Sequence, residues 1–113
     1  MKLKVDDANV FIQEDVVMML FRKGKQSFYI EDDLTNNKPT ADNYLLEWNK
    51  IKCNGGIEKI EVTADCLKFE FNENAQQILK IDFIELEMNL ENFSELKKEL
   101  RVFAQAYKIS FKM

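Results

Sequence analysis

From Ile57 onward apolar residues recur at every second position, and this alternation limits the chain more than any other feature. Ile60 and Val62 oppose Lys59, Glu61 and Thr63, and Leu67, Phe69 and Phe71 oppose Lys68, Glu70 and Asn72. Ile84, Leu86, Met88 and Leu90 then oppose Glu85, Glu87 and Asn89. A period of two places alternate side chains on opposite faces of a strand, so these segments predict half-buried antiparallel strands with a charged, wet outer side and a hairpin near Ala64-Asp65. Between them Asn74–Leu79 is short and compatible with a helix.

The period changes after Asn92. Phe93, Leu96, Leu100, Phe103 and Tyr107 follow at spacings of three and four, the stripe of an amphipathic helix. Asn92 with Glu95 three residues on has the form of a capping box. The alternating Tyr107, Ile109, Phe111 and Met113 leave a final short strand or a frayed end as alternatives.

The first third reads as three extended segments, Leu3–Ile12, Val16–Lys23 and Ser27–Glu31, separated by Glu14-Asp15 and Lys23-Gly24-Lys25. Val16–Phe21 is apolar at both parities, which predicts a central strand covered on both faces. Asp32–Asp42 is dense in turn formers, holds the only proline and reads as an exposed loop. Tyr44–Lys52 returns as a strand ending at Asn54-Gly55-Gly56, where paired glycines suit a tight turn or bulge. The expected fold is α+β: a mainly antiparallel sheet of about six to seven strands, a meander of hairpins, with a C-terminal amphipathic helix packed on one face. With 113 residues, 46 % apolar composition, 3 Gly and 1 Pro, the whole chain is expected to fold as one domain.

Composition also narrows the chemistry. The chain has no histidine, which removes the commonest general base and metal ligand. It has no phosphate-binding glycine loop, and Glu31, Asp32, Asp33 and Asp42 lack the spacing and central glycine of an EF-hand. Catalytic, cofactor and metal roles are therefore expected to be absent. A carboxylate-only enzyme using Glu47, Glu85 or Glu87 is the minor alternative. A net charge of −4, with eleven acids to five bases between Glu58 and Glu99, argues against nucleic acid and for a basic protein partner. The longest apolar run is six residues, far short of the roughly 20 that span a bilayer. The N-terminus lacks the apolar core of a secretory signal, and Cys53 and Cys66 lack redox or zinc spacing, so a cytoplasmic protein with two plain thiols is expected.

Several of these residues occur in a pattern that resembles a known family. Tyr44-x-x-Glu47, a short spacer, Gly55-Gly56-Ile57-Glu58-x-Ile60, Asp65-x-Leu67-x-Phe69-x-Phe71-Asn72, Ala75 and Leu79, followed by the alternating strand and the helix, is similar to the immunity protein 10 family of bacterial polymorphic toxin systems. The resemblance covers roughly Tyr44 to Phe103, and Trp48 and Cys53-Asn54 match no family pattern. It implies a cytoplasmic protein, encoded beside a toxin, that binds and neutralises it without catalytic residues; an acidic, histidine-free domain suits a basic nuclease domain as that toxin.

The outward Glu61, Glu70, Glu85 and Glu87, with Asp32 and Asp33, are then the expected partner-binding acids, the alternative being that they only keep the sheet soluble. Tyr44 and Trp48, four apart on one strand face, fit either core packing or an interface anchor. A non-catalytic adaptor or subunit of a larger complex is the competing reading, and monomer and homodimer are both open.

Overall fold

The computed structural model describes residues 1–33, 43–89, 91 and 93–113. The fold is α+β, as expected, and the described residues form ten strands rather than six to seven, arranged in two five-stranded sheets with two helices. The chain runs β1 (Lys2–Lys4), β2 (Asp7–Gln13), β3 (Val16–Lys23), β4 (Gln26–Asp33), β5 (Tyr44–Trp48), β6 (Ile51–Asn54), β7 (Ile57–Val62), β8 (Cys66–Phe71), α1 (Glu73–Leu79), β9 (Phe83–Glu87), α2 (Phe93–Tyr107) and β10 (Ser110–Lys112).

Strands β2 to β6 form an antiparallel meander in chain order. The other sheet has the order β1-β9-β8-β7-β10, antiparallel in the middle and parallel at both edges. Its outer strands come from the two ends of the chain, which explains the higher count. The expected strand Leu3–Ile12 is broken between Lys4 and Asp7, and its halves belong to different sheets. Tyr44–Lys52 also divides, because Asn49 and Lys50 both take positive φ (48° and 73°), the two-residue turn whose twist matches a hairpin. Asn49 holds that turn, accepting from the Ser27 N–H at 3.0 Å while donating its own N–H to the Ser27 carbonyl at 3.0 Å.

The inner faces of the sheets meet through phenylalanines. Phe28 of β4 lies 5.1 Å from Phe69 and 6.0 Å from Phe71 of β8, and Phe21 of β3 lies 6.2 Å from Phe69, ring centre to ring centre. Helix α2 lies between β9 and β10 in the chain and buries Phe93, Leu96, Leu100, Phe103 and Tyr107, the stripe read from the sequence, together with Ala104. It stops in a Schellman-type end: Lys108 takes φ 56° and the Ile109 N–H reaches the Ala104 carbonyl at 2.9 Å. The chain then continues as β10 beside β7, so the helix is not the last element. Helix α1 begins at Asn72, whose side chain accepts from the Ala75 N–H at 2.9 Å.

Two further expectations change. Strand β3 is interior but not central, since the middle strand of its sheet is β4. Only one of its faces is buried: Val17, Met19 and Phe21 are inside, while Val16, Met18 and Leu20 stay partly exposed. Asp32 and Asp33 belong to β4 rather than to a loop. The rest of the expected loop including Asp42, the inward Leu90 and the Asn92 capping box lie outside the described residues.

Candidate partner-binding face

The four glutamates do share one outer face, as parity demands, yet register gives that face a different charge from the one expected. Lys2, Glu85, Lys68, Glu61 and Lys112 stand side by side across all five strands, the sign alternating at every step. The neighbouring rows place Glu70 beside Lys59 and Glu87 beside Lys4. Lys59 pairs with Glu61 at 2.7 Å and Lys68 approaches Glu70 at 3.9 Å. The bond from Lys59 holds the Glu61 carboxyl below its ordinary value and raises the Lys59 ammonium above its own. Five lysines thus stand among Glu61, Glu70, Glu85 and Glu87, and the face is a mixed-charge lattice rather than an acidic patch.

Tyr44 and Trp48 take the packing alternative. They are 2 % and 5 % exposed, which leaves no side-chain surface for an interface anchor. Tyr44 stacks edge-on against Phe103 and Tyr107 of α2, with centres 4.9 and 4.8 Å apart, and its hydroxyl accepts the Ile57 N–H at 2.7 Å. Asp32 is also inside, at 6 % exposed, and accepts the Tyr107 hydroxyl at 2.5 Å. Burial pushes its carboxyl above the ordinary value, the Tyr107 bond pulls it back and Asp33 adds to the rise. Asp33, the next residue, points outward and is exposed.

The surface that sequence reasoning missed is the outer side of the meander. Phe11, Met18, Glu31, Leu45 and Asn54 form one row across it, and Asn9, Leu20, Tyr29, Glu47 and Lys52 form the next. Phe11 is 49 % exposed and Val16, Met18, Leu20, Tyr29 and Leu45 are partly so, giving an apolar centre with no element laid over it among the described residues. At the end nearest the β2–β3 turn, a depression of about 260 Å³ is lined by Gln13, Glu14, Val16, Met18 and Glu31, and Asp33 stands beside Val16 on the next strand. Glu31 also accepts the Tyr29 hydroxyl at 2.8 Å. Burial, then the Glu31 bond, drives the Tyr29 phenol well above its ordinary value, so it remains a donor at neutral pH. The signal was present in Val16–Phe21, apolar at both parities, which hydropathy alone reads as a strand with two covers.

Other chemistry finds little footing. No group of three or more Cys, Asp or Glu side chains placed to hold a metal occurs among the described residues. Cys53 and Cys66 are not joined in a disulfide; Cys53 donates to the Gly55 carbonyl at 3.4 Å, and burial with Asp65 beside it raises the Cys66 thiol above its ordinary value. No helix among the described residues is long and apolar enough to cross a membrane. Family models, curated proteins and solved structures yield no match to this chain.

Proposed function

We propose that this protein is a bacterial immunity protein, acting in the cytoplasm by binding and neutralising a cognate polymorphic or contact-dependent toxin, with no catalytic step of its own. The observation that carries the binding part is the open apolar face of β2–β5 with its acidic end. Exposed apolar patches rimmed by charge are characteristic of protein-binding surfaces, and an acidic rim steers basic partners such as a nuclease domain. The toxin part rests on the similarity of Tyr44 to Phe103 to the immunity protein 10 pattern. The contact surface is reassigned accordingly: Phe11, Met18, Leu45, Glu31 and Asp33 replace the outward glutamates of the mixed-charge sheet.

Co-expression with the toxin domain encoded beside this gene is expected to restore growth and to co-purify the two chains. Met18→Lys on the open face should weaken the complex at least tenfold, about 1.4 kcal/mol. Reversing Glu31 and Asp33 to lysine should slow association by on the order of tenfold at low salt and flatten its salt dependence. Reversing Glu85 and Glu87 should change neither. Loss of binding only in the Glu85/Glu87 variant would return the site to the other sheet, and failure of both rescue and co-purification would remove the toxin reading.

A further inference from the structure

Two sheets have four edges, and these edges are guarded unequally. β1 and β10 are three residues long and carry Lys2, Lys4 and Lys112. β6 is four residues long, carries Lys52 and is packed by α1. Shortness, lysines and covering helices are the usual means by which an edge avoids pairing with another chain. The second half of β2 has none of them. Asn9-Val10-Phe11-Ile12-Gln13 holds no charge and no proline, Phe11 and Ile12 are 49 % and 62 % exposed, and among the described residues no strand lies beyond it.

We propose that β2 pairs with β2 of a second copy of this chain, antiparallel about a two-fold axis at Phe11. In this register Asn9 faces Gln13, Val10 faces Ile12 and Phe11 faces its own counterpart, so the uncharged half of the strand, Asn9 to Gln13, meets itself without like-charge conflict. The Val10–Ile12 pairs cover the two exposed isoleucines on the inner parity, and the Phe11 pair forms an aromatic contact on the outer one. Asp7, the charged residue of the strand, is held by Arg22 at 2.8 Å. Self-complementarity favours a second copy over a basic partner here, because the carboxylates that would attract such a partner sit at the hairpin and on β4, not along this edge. The axis stands perpendicular to the sheet, so the two meanders join into one ten-stranded sheet with both open faces on the same side. The inference does not depend on the toxin reading.

The test is sedimentation equilibrium of the full chain from about 1 µM to about 1 mM, the range of weak to moderate homodimers. The expected result is a concentration-dependent rise toward twice the 13.4 kDa monomer mass. Phe11→Lys and Ile12→Lys should each raise the dissociation constant at least about tenfold. Both sites are exposed, so far-UV circular dichroism should remain native. Met18→Lys, one strand inward, should leave the dimer intact. A chain that stays monomeric throughout overturns the proposal. So does a dimer abolished by Met18→Lys and untouched by Phe11→Lys, since that pattern places the contact on the open face.

Discussion

Gly56→Ala is expected to remove about 3 to 5 kcal/mol of stability, combining a strained backbone with an overfilled contact. Gly56 has φ +107°, and a Cβ added there would lie 2.4 Å from the Ala75 Cβ and 3.4 Å from Asn72 Oδ1. Neither neighbour is free to retreat. Ala75 is fully buried in the first turn of α1, and Asn72 both caps that helix and donates its N–H to the Gly56 carbonyl at 2.8 Å. The glycine is where the chain passes from the meander into the other sheet, so the damage reaches the join between them. Against a typical total of about 5 to 15 kcal/mol, such a loss leaves the variant marginal in urea unfolding. Gly24→Ala is the control: it shares a positive φ of 58° but meets nothing within 4 Å, and should cost only about 1 kcal/mol. Adding Ala75→Gly to Gly56→Ala should recover part of the loss, because it removes the contact and not the backbone strain. A Gly56→Ala protein as stable as the Gly24→Ala variant would refute this account.

What could be read from the sequence follows from which interactions are local. Strands β7, β8 and β9 each have one wet face, so their alternation is unambiguous, and α2 declares itself by its change of period. The glycine pair was legible as a special backbone site for the same reason. Register, by contrast, depends on residues far apart in the chain. Parity alone puts Glu61, Glu70, Glu85 and Glu87 on one side, but only the pairing of β1 with β9 and of β10 with β7 brings Lys2, Lys4 and Lys112 among them. The turn at Asn49-Lys50 contains no glycine, and Asn49 is the sole residue there that tolerates the left-handed region easily. Strand β3 misled for a deeper reason. An apolar face awaiting a partner and an apolar face under a cover have the same hydropathy, so the candidate site was hidden by the pattern that encodes it.

Asp32 and Tyr107 provide the second large effect. Tyr107→Phe should cost about 1 to 3 kcal/mol at neutral pH, because it strips a donor from a buried carboxylate that ties β4 to α2. The same pair predicts a pH dependence of definite sign. The Asp32 carboxyl is raised above its ordinary 3.8, so the native chain holds that proton more tightly than the unfolded chain does. Stability from this group is therefore fully present below 3.8 and falls as pH rises through the higher native value. Asp6, lowered by its bonds from the Gly24 N–H and Lys23, and Glu61, lowered by Lys59, act oppositely, losing stability as pH falls through their depressed values. Asp32→Asn keeps an oxygen to accept from Tyr107 and removes the charge. It should flatten the decline on the alkaline side of 3.8 and raise stability at pH 7, with urea midpoints measured across that window as the check. In that background Tyr107→Phe should cost less than in the native chain, since a neutral amide loses less than a buried carboxylate when its donor is removed. Equal costs in both backgrounds would show that the charge of Asp32 is not what Tyr107 answers. Because Asp32 is enclosed, Asp32→Asn should also leave partner affinity unchanged while Asp33→Lys, one residue along and facing outward, lowers it. That contrast separates an acid enclosed within the fold from one that faces outward toward a partner.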